Sequence, residues 1–397
     1  MIANAPLHTV NSGPSNSGAR SYLPFARPTI DEETIAGVAE VLRSGWITSG
    51  PNVLKFEQAL SEYHGGRPTR VVASATAALE LALQVAGVGP RAEVITSAMS
   101  FFAAPNMIVK VGAKPVFVDC DLITRNIDFD QVEAAITART TAIMPTHFAG
   151  LPVDIERLYA IAQKYGLRVI EDAALAIGSR WQGRRIGAFG DLVVFSFHPN
   201  KNMTTIEGGA LLMGTEAEVK LFEKLRFHGI VRLADGTRDV DVASGKFNLP
   251  DVNARIGLAQ LARLDEFNAA RRMLAARYFA NLRTDPQCLL PAHAHAGEEE
   301  GHSWNMFCVL LPLEQLDITR KQFIDAMHAR GIGIGISYEA LHLTTLCRGF
   351  GHREGDFPNA ERIGRETVTL PLFPAMTAGD VDRVCEAVAD VLRNAKR

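Results

Sequence analysis

The chain has 397 residues, of which 47% are hydrophobic and 21% charged, with a formal net charge of −3. This length exceeds what one hydrophobic core usually holds, so two domains are expected. No basic excess favours nucleic-acid binding, and no apolar run approaches the ~20 residues that a membrane span needs. The five cysteines are scattered without a CxxC pair. They predict free thiols in a reducing cytoplasm, with no disulfide and no metal site.

The N-terminal part of the chain predicts a tail, two helices and a loop. Residues 1–20 are polar and rich in Ser, Gly and Asn, so we expect a disordered tail without an export signal. Amphipathic runs from Pro28 to Arg43 and from Asn52 to His64 predict helices. Trp46 and Thr48 lie between them in a glycine-punctuated loop. They either line a site or, in the case of the tryptophan, anchor the loop to the core.

Residues 71–121 alternate short apolar strands with helices, which is the rhythm of a parallel βαβ sheet. The first strand runs into Ser74, Ala75 and Thr76, ahead of a strongly helical segment. Small and hydroxyl side chains at a helix N-terminus allow backbone N–H groups to bind an anion, although a plain helix cap also explains them.

Three ring side chains follow predicted strands. Phe101 either stacks on a planar cofactor ring or packs into the core, and Phe102 is predicted to belong to the core. His147 follows the strand Thr141–Pro145, where it either contacts a ligand or is a hydrogen-bonded structural histidine.

The most informative stretch is Asp191–Gly209, an apolar strand followed by Lys201 in a polar loop. Most lysines are exposed, but a lysine held in a cleft has a lowered pKa and becomes a nucleophile towards carbonyl groups. Pyridoxal phosphate (PLP) is the commonest reason for such a lysine, and its pyridinium nitrogen also needs an acidic partner. Leu167–Asp172 is a second apolar strand, and it ends in a carboxylate. Ligands of open α/β sheets bind at the carboxyl ends of neighbouring strands, so Lys201 and Asp172 are predicted to share one site.

Residues 227–246 are polar, rich in Gly and Asp, and show little periodicity. Such a segment is typical of a lid, an interface element or a disordered loop. Asp251 then begins a helix that is predicted to continue to about Ala280, and we place the domain boundary on it. We therefore expect a large domain at 21–265.

The small C-terminal domain is predicted at 266–397. Its β-α-β pattern with a terminal helix is typical of a small α+β domain. Tyr338 and His342 follow one of its strands. They either face the cleft or are a domain-packing tyrosine and a partly exposed histidine.

Several segments occur here in one order, namely SATAAL, SFFAAPN, IEDAA, SFHPNKN with EGG, FNLPDVNARIGLAQL and LPLFP. Together they resemble the DegT/StrS-type sugar aminotransferases, from about Tyr22 to the end of the chain. The resemblance implies the α/β aspartate-aminotransferase fold (fold type I), with a mostly parallel seven-stranded sheet and a smaller C-terminal α+β domain. Within that family, YLPFARP, SGWITSGP, RFHGI and HSWNMF resemble the branch that aminates a UDP-linked 4-keto-pentose, the UDP-4-amino-4-deoxy-L-arabinose–oxoglutarate aminotransferases.

The resemblance also implies roles for single residues. Lys201 matches the Schiff-base lysine, which holds PLP and later shuttles a proton. Asp172 matches the carboxylate that keeps the pyridinium nitrogen protonated. A homodimer with shared active sites is implied as well. The other positions that match are Ala75, Thr76 and Ser196 for the phosphate, Phe101 for ring stacking, and Asn248 as an asparagine that reaches the phosphate from the neighbouring subunit. The candidate substrate contacts are Trp46, Thr48, His147, Tyr338 and His342.

The predicted activity is PLP-dependent transfer of an amino group from an amino acid, expected to be glutamate, to a keto-sugar, expected to be nucleotide-linked. One position departs from the family: where His or Gln usually follows IEDAA, this chain has Leu175. Because an apolar side chain near the ring suits a less polar substrate, a transaminase of a simple amine, a polyamine or an aldehyde is an alternative. A non-catalytic regulator with the same fold is a third hypothesis, and the absence of a DNA-binding appendage or basic patch argues against it.

Overall fold

The computed structural model describes residues 21–295 and 301–397, so the predicted N-terminal tail lies outside the described residues. The α-helices are α1 (Glu32–Ser44), α2 (Pro51–Tyr63), α3 (Ala75–Val85), α4 (Ala103–Lys110), α5 (Phe129–Ala134), α6 (Ile155–Tyr165), α7 (Glu216–Arg226), α8 (Asp251–Ala262), α9 (Leu264–Asn281), α10 (Arg320–Ala329), α11 (Thr345–Arg348), α12 (Pro358–Glu366) and α13 (Ala378–Asn394). The strands are β1 (Thr69–Val72), β2 (Glu93–Ser97), β3 (Lys114–Val118), β4 (Thr140–Met144), β5 (Arg168–Asp172), β6 (Arg180–Trp181), β7 (Arg184–Arg185), β8 (Leu192–Ser196), β9 (Gly209–Leu212), β10 (Ile230–Arg232), β11 (Arg238–Val240), β12 (Phe307–Leu310) and β13 (Thr367–Leu370).

One seven-stranded sheet organises the larger part of the fold, in the order β1-β9-β8-β5-β4-β2-β3. The strands from β3 to β8 in that order run parallel, whereas β9 is antiparallel to both of its neighbours, β1 and β8. Parallel neighbours need crossover connections, and helices supply most of them, so both faces of the sheet are covered. The α/β fold with a mostly parallel seven-stranded sheet is therefore confirmed.

The two faces of the sheet pack into different hydrophobic clusters because successive strand side chains point to opposite sides. On β8, Val193 belongs to the cluster that includes residues of α2, α6 and α8, while Val194 belongs to the cluster that includes residues of α3, α4 and α7. All five residues of β8 are buried. The strand that precedes Lys201 is thus held rigidly from both sides.

Helix boundaries follow the capping residues closely. α1 begins after Asp31, the acidic residue that precedes the amphipathic run, and the Asp31 Oδ1 accepts a hydrogen bond from the Thr34 N–H at 2.9 Å. The helix ends at Gly45, which takes a left-handed φ of 74°.

Two predictions for the middle of the chain need correction. The helix predicted from Asp251 to about Ala280 is two helices, because Arg263 leaves the helical conformation with φ −108° and ψ 3°. Neither Gly nor Pro marks this break in the sequence. The 227–246 segment contains the hairpin β10–β11, closed by a turn at Asp235 and Gly236, whereas the sequence suggested little regular structure. Its short strands, the half-buried to exposed β10 and the exposed β11, show no clear alternation of apolar and polar residues.

A third hydrophobic cluster lies around β12, β13 and helices α9, α10 and α13. Leu23, from the beginning of the described chain, packs into it, so this cluster is not made from the C-terminal residues alone. Leu264 packs with the large sheet and Leu274 with the third cluster. The domain division at residue 265 stays a prediction.

The expectations for the cysteines and for membrane-spanning segments can be compared with the structure. All five cysteines are free and buried. Among residues 21–295 and 301–397, no helix has the length and apolar character needed to cross a membrane.

Candidate active site

Two strand ends and a helix N-terminus meet at one edge of the large sheet. β5 ends at Asp172 and the adjacent, parallel β8 ends at Ser196. The first residues of α3 lie beside them, next to β9. These elements enclose a cavity of about 190 Å³. The residues singled out from the sequence that line it are Ala75, Thr76, Phe101, Asp172, Ser196, Lys201 and Tyr338.

Lys201 lies in a short turn after β8, where its backbone N–H donates to the carbonyl of His198 at 2.9 Å. Solvent reaches part of the side chain, but protein surrounds the amine. Burial lowers the pKa of Lys201 to about 8, and the nearby carboxylate of Asp172 limits this effect. The neutral amine, which is the form that attacks a carbonyl carbon, is therefore far more populated near neutral pH than in an exposed lysine.

Asp172 is buried at the end of β5. Its Oδ1 accepts a hydrogen bond from the Ala174 N–H at 3.1 Å, and its Oδ2 accepts a longer one from the Thr146 hydroxyl at 3.5 Å. Burial raises the pKa of Asp172, while the Ala174 N–H and the charge of Lys201 favour the ionised form. A buried carboxylate with few donors is stabilised by a cationic partner, and a protonated ring nitrogen is such a partner.

The N-terminus of α3 approaches the same cavity. Ser74 caps the helix, since its Oγ accepts a hydrogen bond from the Ala77 N–H at 3.1 Å, and Thr76 lines the cavity. Free N–H groups and the helix dipole at this end favour an anion. The neighbouring strand packs very closely, because a Cβ added to Gly209 would lie 2.5 Å from the Ala75 nitrogen. Ser74 is therefore the helix cap, and the next residues line the cavity, where their binding of an anion stays a prediction.

The groups around the cavity fit PLP. The amine of Lys201 suits an aldehyde, the carboxylate of Asp172 suits a pyridinium nitrogen, and the N-terminus of α3 suits a phosphate. The three lie on rigid elements of one sheet edge, as the positioning of a cofactor requires.

Two aromatic rings form a wall of the cavity. The ring centroids of Phe101 and Tyr338 are 5.6 Å apart, and Phe101 is 49% exposed, so it is not a core residue. The prediction that Phe102 belongs to the core is wrong, because its side chain is 37% exposed. Phe102 lines a second cavity of about 250 Å³, which shares Phe101, Asn200 and Tyr338 with the first. Phe101 and Tyr338 therefore face both cavities.

His147 and His342 do not line either cavity. The Nε2 of His147 donates to Glu171 at 2.9 Å, and its Nδ1 accepts from the Val153 N–H at 3.0 Å, so both ring nitrogens are occupied. His342 is fully buried with its Nε2 3.0 Å from a carboxylate oxygen of Glu361, so the reading of a partly exposed histidine is wrong. This placement gives no support to a substrate contact by either histidine, and His147 takes the structural alternative.

Trp46, Thr48 and Asn248 lie outside both cavities. Trp46 is 59% exposed and its Nε1 donates to the Ser49 carbonyl at 3.1 Å, so it does not anchor the loop to the core. Thr48 is also exposed. The Asn248 amide donates to the Ser49 hydroxyl at 2.7 Å. Within one chain these residues form a surface group, and a role for them in a neighbouring subunit's site stays a prediction.

Sequence reasoning missed several residues that line the first cavity, among them Thr146, His198, Asn200 and Glu207. Thr146 follows β4 and is bridged to Asp172, so the strand-end argument that identified Asp172 also applies to it. No comparable signal marks Asn200 or Glu207, because the path of the loop after β8 brings them to the cavity.

Comparison with known proteins agrees with this geometry. The model of the DegT/DnrJ/EryC1/StrS aminotransferase family matches residues 28–389. The chain is 38% identical over 384 residues to the spore coat polysaccharide biosynthesis protein SpsC of Bacillus subtilis (strain 168). This match covers 94% of this chain and 98% of SpsC.

Solved structures of aminotransferases also match most of this chain. The PLP-form of the putative sugar aminotransferase Spr1654 from Streptococcus pneumoniae is 32% identical with a TM-score of 0.86, and the match covers 94% of this chain and 99% of that one. PseC of Helicobacter pylori, an aminotransferase involved in the biosynthesis of pseudoaminic acid, is 27% identical with a TM-score of 0.87, covering 94% and 100%. This chain therefore belongs to the DegT/DnrJ/EryC1/StrS aminotransferase family and is a PLP-dependent aminotransferase of fold type I.

Proposed function

We propose that this chain transfers the amino group of glutamate to the keto group of a nucleotide-linked sugar. One observation carries the proposal: the amine of Lys201, the carboxylate of Asp172 and the N-terminus of α3 face one cavity. The keto-sugar acceptor is supported by the names of the relatives, which include a polysaccharide biosynthesis protein and a putative sugar aminotransferase. The resemblance to the branch that acts on UDP-linked 4-keto-pentoses supports the nucleotide carrier.

PLP supplies the electron sink that makes the α-carbon of the amino donor acidic. Lys201 would hold the cofactor through its amine and, when that amine is free, would take the proton from the donor's α-carbon. Asp172 would keep the ring nitrogen protonated. Thr76, Ser196 and the N–H groups at the start of α3 would hold the phosphate.

Phe101 lines the cavity and would stack on the cofactor ring. Its exposed ring and that of Phe102 border the second cavity, which adjoins the first. This second cavity offers the space for the acceptor, and we assign Tyr338 to the boundary between cofactor and acceptor.

We also propose that the protein is a homodimer in which Asn248 reaches the phosphate in the partner's site. The Asn248 Nδ2, which within this chain donates to the Ser49 hydroxyl at 2.7 Å, is the group that would donate to the phosphate. The loop that holds Ser49 and the following helix α2 also carry exposed apolar side chains, among them Trp46, Ile47 and Leu54. Apolar side chains of this size are rarely left in water in a contiguous group, which supports an interface there.

A second candidate substrate class follows from Leu175. This side chain is 3% exposed and lines the first cavity together with other apolar residues. An apolar wall at that position favours a less polar amine or aldehyde, such as a polyamine, over a sugar.

The test is a two-stage reaction. The PLP-loaded protein is mixed with glutamate and its visible absorption is recorded, with Lys201→Ala as the control that is expected to show no change. Nucleotide-linked keto-sugars, the corresponding free sugars and simple aldehydes are then supplied as acceptors. Restoration of the original spectrum by the nucleotide-linked sugars supports the proposal. Restoration only by aldehydes favours the second candidate, and a spectrum insensitive to glutamate refutes glutamate as the donor.

A further inference from the structure

The segment 301–305 lies across three loops of the active-site edge. These loops follow β4, β5 and β8; Asp172 and Ser196 end β5 and β8, and Thr146 lies just after β4. The Asn305 N–H donates to the Ala149 carbonyl at 2.9 Å, and the Ser303 hydroxyl donates to the Leu175 carbonyl at 3.2 Å. The segment 301–305, which follows α9 in the chain, is therefore hydrogen-bonded to the loops after β4 and β5. Through Asn305 it is also hydrogen-bonded to the loop that holds Lys201.

The contact with the Lys201 loop is made by side-chain amides. The Asn305 Nδ2 donates to the Asn200 carbonyl at 3.2 Å and to the Asn202 Oδ1 at 2.9 Å. Asn200 and Asn202 are the two residues that flank Lys201. The residues on both sides of the lysine, Asn200 through its backbone carbonyl and Asn202 through its side chain, are thus tied to the side chain of Asn305.

Further hydrogen bonds fix the amide of Asn202. Its Nδ2 donates to the Ser303 carbonyl at 2.8 Å and to the Asn268 Oδ1 at 2.7 Å. Asn268 in turn donates to the Ile177 carbonyl at 3.1 Å. Because backbone carbonyls only accept hydrogen bonds, the nitrogen of each amide must face its carbonyl, and the orientation of all three side chains is determined.

The network is buried and closely packed. Asn202, Asn268 and Asn305 are each at most 4% exposed. A Cβ on Gly178 would lie 2.3 Å from the Asn268 Nδ2, so only glycine allows this approach. Water has little access to replace a lost partner, and removal of one amide leaves the others unsatisfied.

Arg271 holds the other side of the segment. Its guanidinium Nη1 donates to the carbonyls of Asn305 at 3.1 Å and Leu372 at 2.8 Å, and the residue is buried on α9. The backbone of Asn305 is therefore fixed from α9, while its side chain reaches the loop of Lys201.

We propose that Asn305 is a positioning residue for Lys201. It fixes the Asn200 carbonyl and the Asn202 side chain, and so keeps the lysine amine beside Asp172 and within reach of the cofactor. Asn305 also lines the second cavity, so the same amide borders the space assigned to the acceptor. This inference rests on the proposed role of Lys201 as the cofactor lysine.

The test compares Asn305→Ala with Asn126→Ala in the PLP-loaded protein. Asn126 is a matched control, since its buried amide also donates to two carbonyls, those of Leu151 and Pro152 at 3.2 and 3.0 Å, but it does not line either cavity. Three quantities are measured: the rate constant of the half-reaction with glutamate, the KM for glutamate, and the pH midpoint of the visible absorption.

For Asn305→Ala we expect the rate constant to fall about 10²-fold, the size of effect that a misplaced catalytic group produces, with a much smaller change in KM. The pH midpoint should shift, because water gains access to the lysine. Asn305→His, which returns one N–H donor near the amide nitrogen, should recover part of the rate. Asn126→Ala should lose stability without either change.

Two failures are distinguishable. If the wild-type protein shows no absorption change with glutamate, the proposed function fails. If the wild type reacts but Asn305→Ala matches Asn126→Ala in rate constant and pH midpoint, the positioning role is refuted. Should Asn305→Ala not fold, Asn305→Ser, which keeps a small hydroxyl donor, is measured in the same way with the same criteria.

Discussion

Replacing Gly209 by alanine tests whether the start of α3 is the phosphate site. Gly209 is the first residue of β9 and lies opposite Ser196 at the end of β8. An added Cβ would lie 2.5 Å from the Ala75 nitrogen and 2.6 Å from the Ser74 carbonyl carbon, where ordinary contact begins at 3.4 Å. Both atoms are backbone, so no side-chain rotation relieves the overlap. The first turn of α3 has to move away from the strand.

The expected magnitude follows from overpacking. One extra methyl group in a tight position costs about 1 to 3 kcal/mol. Part of this cost appears as lower stability of the cofactor-free protein, and part as weaker binding, because the displaced N–H groups no longer converge on the phosphate. With about 1.4 kcal/mol for each factor of ten, we expect the affinity for PLP to fall about tenfold.

The assay is a fluorescence titration of the cofactor-free protein with PLP, alongside urea unfolding of each variant. Gly214→Ala is the matched control, since an added Cβ there would lie 3.7 Å from the nearest atom, on Glu218. Equal PLP affinities for Gly209→Ala and the wild type would show that the α3 terminus does not hold the phosphate. The same loss of affinity in Gly214→Ala would also contradict the argument, because that position makes no close contact.

Three further predictions concern the residues of the site. Asp172→Asn keeps the shape of the side chain but removes its charge. PLP should still bind, while the half-reaction with glutamate, measured by stopped-flow absorbance, should slow about 10²- to 10³-fold. An unchanged rate would contradict the role of this carboxylate. Burial lowers the pKa of Lys201 from 10.5 to about 8, so the unfolded chain binds more protons than the cofactor-free folded protein between these values. The contribution of this group to the free energy of unfolding should therefore rise with pH across that window. Urea unfolding of Lys201→Met should show no such rise. Identical pH dependences of unfolding in the wild type and in Lys201→Met would rule out the buried amine. Mixing the inactive variants Lys201→Ala and Asn248→Ala should restore part of the activity if subunits share sites, and no recovery after subunit exchange would argue against sharing.

The sequence was sufficient for the elements whose signals are local. Alternation of apolar strands with helices predicted the parallel sheet. Lys201 and Asp172 were identifiable because each follows an apolar strand, and strands of a parallel sheet end at a common edge. The helix break at Arg263 and the hairpin at 230–240 were missed, since neither Gly nor Pro marks the break and the short strands of the hairpin show no clear alternation.

For single side chains, too, the sequence was informative only where the signal was local. Phe101 and Thr76 follow predicted strands and line the cavity, where their roles stay predictions, whereas the sequence did not show that both ring nitrogens of His147 are occupied or that Phe102 is exposed. The amides of Asn202, Asn268 and Asn305 come from distant positions, and no pattern in the sequence joins them. The sequence by itself determined the order of strands and helices and the chemistry at their ends, because these depend on neighbours along the chain. Only the tertiary structure decided which groups meet around Lys201, because burial and hydrogen-bond partners are set by packing between segments that are far apart in sequence.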